Sequence, residues 1–466
     1  MNDMIENRTF DEIQEGDSAS LVRQLTERDI QLFAVMSGDV NPAHVDREFA
    51  KDDRFHQIIG HGMWAGSLIS TVLGTQLPGP GTIYLDQSLH FRNPVRLGDT
   101  VTVTVTAREK MPEKNRIIFD CACTRQDGKI AAEGVAEVLA PSKKVRRQRV
   151  RLPDVSLHDP GAKLRNLIDE VREYDPLTMA VVHPTDTASL LGAIVAAEAS
   201  LIDPILVGPE KKIREAAEIA KVDISPYRLE NTEHSHAAAD RAVELVKSGY
   251  AQALMKGKLH TDELLGAIVP RESGLRTERR FSHVFVMDVP DYERLVFITD
   301  AAINIAPTLD EKADIIRNAI ELAQSLDVEE PKVAILSAVE TVSSKMTSTI
   351  DAACLCKMAD RGQINGGLLE GPLAFDNAIN SESAKTKGIV SPVAGNADIL
   401  VTPDIEAGNM LAKQLEYMGD AKAAGVVLGA RVPVVLTSRA DDELSRMASC
   451  AVAVRLYYWK QGRKTP

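Results

Sequence analysis

From residue 178 onward the chain repeats one pattern, a short apolar run followed by a stretch long enough for a helix. The runs are TMAVVH (178–183), DPILVG (203–208), QALMKG (252–257), RLVFITD (294–300), KVAILS (332–337), ADILVT (397–402) and VPVVLT (432–437). Strands this apolar are buried on both faces, and successive parallel strands need a crossover of helical length. The pattern therefore predicts a three-layer α/β region with largely parallel sheets, its clearest amphipathic helices spanning 311–326 and 346–361. About 300 residues is large for one core, so two lobes with a cleft between them are expected. Ligands of such sheets sit beyond the carboxyl ends of the strands. There the chain places Lys256, Asp300, Ser337 and Ser438.

The first third has another rhythm. Residues 61–77, HGMWAGSLISTVLGTQL, form an apolar run of helical length that stops at Pro78-Gly79-Pro80-Gly81. Three or four alternating segments follow: 81–91, 99–107 with Val101, Val103 and Val105 on one face, and 116–124 and 129–140 flanking Asp127-Gly128. An Asp-Gly pair between alternating runs marks a tight hairpin. One buried helix wrapped by an antiparallel sheet is an α+β arrangement, and the order of elements points to a hot-dog fold. Between the two regions lies PSKKVRRQRVRLP (141–153), with six Lys or Arg in positions 143–151. A charge run bounded by prolines reads as a solvated linker. The expected division is 1–142, a basic linker 143–159, and 160–466.

Composition excludes several classes. A net charge of −13 argues against a nucleic-acid or anionic-membrane binder. Five cysteines in two C-x-C pairs and a single are a poor disulfide framework and a poor zinc site. Cys121 and Cys123 fall on one face of a strand, as small buried hydrophobes. No run of about 18 apolar residues and no signal peptide is visible, so a cytoplasmic protein is expected. A P-loop, a G-x-G-x-x-G after a strand, a G-x-S-x-G elbow and H-E-x-x-H are all missing from the sequence. No metal site is expected.

Two stretches carry chemistry. In SGDVNPAHVD (37–46), Pro42 keeps Asn41 out of helical geometry, so Asp39 and His44 can converge on one point. A carboxylate and an imidazole sharing a water can activate it and return a proton to carbon. A polar turn is the plainer alternative. The start of the apolar helix, His61-Gly62-Met63, offers free N–H groups and room for a ligand. In VPVVLTSRADDE (432–443), an apolar strand ends at Thr437-Ser438-Arg439. Arg439 suits bidentate phosphate binding and Ser438 can hydrogen-bond the same group, although a polar turn with Asp441 capping the next helix also fits. Asn304, Asp376-Asn377 and Asn409 are further polar groups at Gly- or Pro-bounded turns.

The runs SGDVNPAHVD, IIGHGMWAGSLISTVLG and QLPGPGTIYLDQSLHFRNPVRLGD resemble the (R)-specific enoyl-CoA hydratases of the MaoC-like family, over roughly 15–140. The resemblance implies Asp39 and His44 as the acid/base dyad, Gly62 N–H on the thioester carbonyl and Ser70 as an orienting hydroxyl. It also implies a homodimer or larger homo-oligomer, and leaves Trp64 as a residue that narrows the acyl tunnel. From about 160, LMKGKLHTDELL, GLRTERRFSHV, ITDAAINIAPTLDEKADIIRNA, MADRGQINGGLLEGPLAFDNAI and PVVLTSRADD resemble phosphate acyltransferases, nearer the butyryl- than the acetyltransferases. This implies acyl exchange between coenzyme A and inorganic phosphate without a covalent acyl-enzyme. Ser438 and Arg439 would be catalytic, and Arg276, Asn304 and Asn377 would bind substrate. CoA thioesters and phosphate are then substrates and no cofactor is bound. Two positions depart from the pattern. Gly266 stands where the family has an Arg, a role left to Arg276, Arg279 or Arg280. Ser445 stands where the acetyl type has an Asp base, a role left to Asp441 or Asp442. The expectation is a bifunctional enzyme; the alternative is a transferase alone, with the hot-dog part as a CoA-binding or dimerising module.

Overall fold

The computed structural model describes residues 4–153, 155, 157–437 and 441–463, and the chain divides into two compact units, Met1–Leu157 and His158–Pro466. Among the described residues no helix is long and apolar enough to cross a membrane.

In the first unit, strands β1 (Met4–Glu6), β2 (Ser18–Gln24), β3 (Ile83–Phe91), β4 (Thr100–Met111), β5 (Arg116–Arg125), β6 (Ile130–Leu139) and β7 (Arg146–Gln148) accompany helices α1 (Glu27–Ser37), α2 (Pro42–Val45), α3 (Arg47–Asp52) and α4 (Gly62–Thr75). Five strands form an antiparallel sheet in the order β2-β4-β5-β6-β3. Helix α4 buries Ala65, Leu68, Ile69, Val72 and Leu73 at helical spacing, in one core with Val101, Val103, Val105, Cys121 and Cys123. This is the wrapped-helix arrangement expected for a hot-dog fold. Asp127-Gly128 turns the β5–β6 hairpin with Gly128 at φ +79°. The strand Ser18–Gln24 extends the sheet beyond the segments expected. Its side chains are mostly half-buried or exposed, so the apolar alternation is faint. Part of the basic stretch is also a strand, since Arg146–Gln148 pairs antiparallel with Met4–Glu6.

The second unit holds β8 (Leu177–Val182), β9 (Ile202–Gly208), β10 (Arg228–Asn231), β11 (Ala253–Lys256), β12 (Ser282–Asp288), β13 (Val296–Thr299), β14 (Lys332–Leu336), β15 (Leu368–Leu373), β16 (Ile399–Val401), β17 (Lys422–Leu428) and β18 (Val434–Val435). They form one sheet in the order β10-β9-β8-β11-β18-β17-β12-β13-β16-β14-β15. The large, mostly parallel sheet agrees with the sequence pattern. Its two halves run in opposite directions, because β18, β17, β12 and β13 are joined by successive antiparallel pairings. The carboxyl ends of β8, β11 and β18 therefore open on one edge, and those of β13 to β16 on the other. The expected helices appear at Leu309–Ser325 and Thr347–Asp360.

Candidate active sites

In the first unit, α1 ends at Gly38 in the left-handed region, φ +74°, which frees Asp39 from the helix. Asn41 then accepts from the Ala43 N–H at 3.2 Å, and Pro42 occupies the first helical position of α2. The Asn-Pro pair is thus a helix start, and it presents His44 one turn later. His44 Nδ1 donates to the Ile59 carbonyl at 2.8 Å, and His61 Nε2 donates to the Asp39 carbonyl at 3.0 Å. The two imidazoles lie 4.1 Å apart between ring centres. One ligand-capable atom from each of Asp39, His44 and His61 falls within 4.8 Å of the others.

His44 and His61 border a cavity of about 240 Å³, whose wall also includes Gly62, Ala65 and Phe91 and does not include Asp39. Gly62 opens α4, so its N–H has no partner inside the helix. A Cβ there would stand 3.2 Å from the Phe91 ring. The sequence reading named Gly62 and passed over the imidazole of His61, which is 4 % exposed. Ser70 is exposed on α4 and lies outside the cavity wall. Trp64 packs in the hydrophobic core and is likewise absent from that wall, so it does not constrict this cavity.

In the second unit, Ser438 and Arg439 lie outside the described residues. At the exits of β11 and β18, Lys256, Gly257, Thr437, Asp186, Ser189 and Arg446 border one small recess. Lys256 is buried and its Nζ donates to the Leu259 carbonyl at 3.1 Å. Arg446 is buried on the helix Glu443–Lys460 and donates to Thr437 Oγ1 at 3.3 Å. Burial opposes ionisation of Asp186, but hydrogen bonds from Ser189 and the charges of Lys258 and Arg446 outweigh it and hold the carboxyl below its ordinary value. Asp186 also caps the helix Thr187–Glu198, where Gly192 leaves space for Arg446; a Cβ at Gly192 would come within 2.6 Å of Arg446 Cδ. Two buried cations, Lys256 at a strand end and Arg446 on the helix packed beside it, with hydroxyls next to them, form a site suited to an anion. Sequence reading found Lys256 as a strand-end residue and missed Arg446, which sits 190 positions further along the chain.

The expected substrate-binding residues lie elsewhere. Arg276 bridges to Ala430, at the entry of β18, whereas Thr437 is at its exit. It borders an open cavity of about 660 Å³ with Arg271 and Arg431. Asn304 is buried, accepting from Arg280 Nε at 2.8 Å and donating to Asp300 and to the Phe281 carbonyl. That set brackets Ser282, the start of β12, which pairs with Leu428 at the end of β17. Asn377 follows β15, on the same edge, and is fully buried with neither side-chain atom hydrogen-bonded. Arg276, Asn304 and Asn377 are therefore at the opposite edge from the recess, because the antiparallel strands reverse direction between them. Arg279 is paired with Glu321 and Arg280 with Glu311. Asp442, not Asp441, caps the helix Glu443–Lys460, and it pairs with Lys422 at 2.6 Å. Burial raises its carboxyl pKa, but bonds from Lys422 and Ser445 prevail and lower it, which makes Asp442 a weaker base.

An α/β acyltransferase fold built on one large, mostly parallel sheet, in a chain that also carries a hot-dog domain, is the class these features define. Residues 10–121 match the family described as "MaoC like domain", and 234–454 match "Phosphate acetyl/butaryl transferase". The chain is 59% identical to the phosphate acetyltransferase of Rhizobium meliloti, over 63% of this chain and 92% of that one. It is 42% identical to the phosphate butyryltransferase of Clostridium acetobutylicum, over 62% of this chain and 95% of that one. The crystal structure of a branched-chain phosphotransacylase from Enterococcus faecalis V583 superposes with a TM-score of 0.54 and 32% identity, covering 60% of this chain and 99% of that one. The chain belongs to the phosphate acetyl/butyryl transferase family and carries a MaoC-like domain ahead of it. Of these two curated relatives the acetyltransferase is the more similar, which reverses the order expected from the sequence.

Proposed function

We propose that the second unit transfers a short acyl group between coenzyme A and inorganic phosphate, and that the first hydrates trans-2-enoyl-CoA to (R)-3-hydroxyacyl-CoA. For the transfer, the carrying observation is the 59% identity spanning nearly the whole acetyltransferase relative. Phosphate binds where β11 and β18 end. Ser438 and Arg439 hold it there, with Lys256 and Arg446 adding positive charge. A phosphate oxygen attacks the thioester carbonyl carbon, the C–S bond breaks and the CoA thiolate leaves, giving acyl phosphate. Buried cations stabilise both the incoming dianion and the tetrahedral oxyanion. The 3.3 Å contact of Arg446 with Thr437 fixes that guanidinium on the strand that leads into Ser438.

For hydration, the approach of Asp39 and His44 to within 4.8 Å, with His44 and Gly62 on the wall of one cavity, supports the reading. His44 Nδ1 donates to a carbonyl, so the lone pair of the neutral ring is on Nε2. Water held by this atom and the Asp39 carboxylate loses a proton to the pair as its oxygen bonds to C3. The pair returns a proton to C2, and Gly62 N–H stabilises the enolate oxygen between the two steps. Ser70 has no part in this scheme.

Two assays on the full chain separate the activities. Asp39→Asn is expected to abolish hydration of crotonyl-CoA and to leave phosphate-dependent CoA release intact. Arg439→Ala is expected to do the reverse. A wild-type chain that never hydrates crotonyl-CoA reduces the hot-dog unit to a CoA-binding or dimerising module. CoA release from acetyl- and butyryl-CoA that ignores phosphate removes the transferase reading.

A further inference from the structure

The cavity of the first unit holds a second imidazole that the hydration scheme does not use. His61 is 4 % exposed and its Nε2 donates to the Asp39 carbonyl, so the lone pair of the neutral ring sits on Nδ1. That Nδ1 is buried and has no hydrogen-bond partner. An orphaned, buried lone pair costs stability unless something fills it. His44 is arranged the same way, with Nδ1 on the Ile59 carbonyl and Nε2 left over. Metal-binding histidines characteristically donate their other ring N–H to a backbone carbonyl or carboxylate, which fixes the tautomer and turns the lone pair to the ion. Both imidazoles show this arrangement, and one nitrogen of each lies, with an Asp39 carboxylate oxygen, within 4.8 Å of the others.

From this geometry we infer that Asp39, His44 and His61 form a site for a divalent transition-metal ion of the zinc class. Two imidazoles and a carboxylate, with a fourth position open to water, match the donor set and number that zinc takes outside closed structural sites. Zinc needs bonds of about 2.0–2.2 Å, so the widest ligand spacing must contract. Asp39 is exposed at the end of α1 and is the ligand that turns inward. The nearby Arg92 is paired with Glu133 at 2.9 Å, which tempers its repulsion of a cation. The ion occupies the position of the reacting water and both members of the dyad. On the hydratase reading it is therefore an inhibitor, and metal availability controls the first activity without touching the second.

The test is titration of the full chain with Co²⁺, followed by displacement with Zn²⁺. One equivalent per chain is expected, with a visible d–d band and no near-ultraviolet thiolate charge transfer, since the ligands contain no sulfur. His61→Ala and His44→Ala are each expected to weaken binding at least about 100-fold, beyond the 10–100-fold typical of losing an outer-shell partner. Zn²⁺ should inhibit crotonyl-CoA hydration, reversed by chelator, and leave phosphate-dependent CoA release in the same sample unchanged. A wild-type chain with no stoichiometric band overturns the proposal, as does a band that survives in both variants. His44 is half-buried, so its variant remains informative if His61→Ala does not fold. Binding without any hydratase activity keeps the metal site and removes only the inhibitory role.

Discussion

Gly192→Ala isolates the part that Arg446 plays in the second unit. Gly192 lies inside the helix Thr187–Glu198, where alanine raises helix stability by about 1 kcal/mol. Against this, the new methyl would sit 2.6 Å from Arg446 Cδ, well inside van der Waals contact, and 3.5 Å from its Cβ and Cγ. Arg446 is buried, so its side chain must shift within packed surroundings, at about 1–3 kcal/mol of overpacking. The net change in stability is then between none and a loss of about 2 kcal/mol. The functional change is larger than that range implies. Moving Cδ swings the guanidinium away from Thr437 and the phosphate position. A charge-assisted hydrogen bond is worth about 1.5–3 kcal/mol, so kcat/KM for phosphate should fall roughly 10- to 150-fold. The assay is CoA release from acetyl-CoA at varied phosphate, with crotonyl-CoA hydration measured on the same sample. Unchanged kcat/KM for phosphate in a folded variant would refute the placing of Arg446 at the anion site. An equal fall in both activities would trace the loss to general damage.

Gly266→Arg restores the side chain found elsewhere in the family. Nothing lies within 4 Å of a Cβ there, and the residue is exposed on the helix Thr261–Ile268, so the variant should fold with a gain of about 0.8 kcal/mol in urea unfolding. The helix begins just beyond Lys256, and the KM for phosphate should fall; an unchanged KM shows that Lys256 and Arg446 have taken over the charge. His283 is fully enclosed, and burial drives its imidazole down to about 4, outweighing the opposite pull of the Asp300 carboxylate. The unfolded chain takes up this proton below its ordinary 6.5 and the folded chain does not. Stability is therefore lost as pH falls from 6.5 toward 4, by up to about 2 kcal/mol at pH 5. His283→Gln should flatten that part of the urea-unfolding profile. Burial pushes the thiols of Cys121, Cys356 and Cys450 up to about 12 and Cys123 up to about 11, while Cys354 is exposed. At pH 8 a disulfide reagent should modify one thiol per native chain quickly and all five only after denaturation.

Much of this was legible because the apolar pattern is local. Alternating Val101, Val103 and Val105 define β4, and the run from Ala65 to Leu73 defines the face of α4. Asp39 and His44 lie in one short segment fixed by a glycine cap and an Asn-Pro helix start. The second site was harder to read because its parts come from distant positions. Arg446 is an ordinary arginine in its own helix, and only the packing against Gly192, 254 residues earlier, places it. Arg276, Asn304 and Asn377 are expected beside the anion only from the family resemblance and their place at turns. Strand direction puts them at the opposite edge from Lys256 and Thr437, and direction is set by pairings that no single run encodes. His61 escaped notice because a histidine before a helix is common; its significance lies in which of its nitrogens meets a carbonyl.

Strand β18 comes from residues 434–435 and fills the gap between β11, made 178 residues earlier, and β17. During synthesis, the second unit cannot close its sheet until almost the whole chain has left the ribosome. Until then β11 presents an open hydrogen-bonding edge. The first unit needs nothing beyond Leu157 and can be complete while that edge still waits. A chain that terminates early, even by 35 residues, would therefore carry a finished hot-dog domain and an unfinished, aggregation-prone acyltransferase.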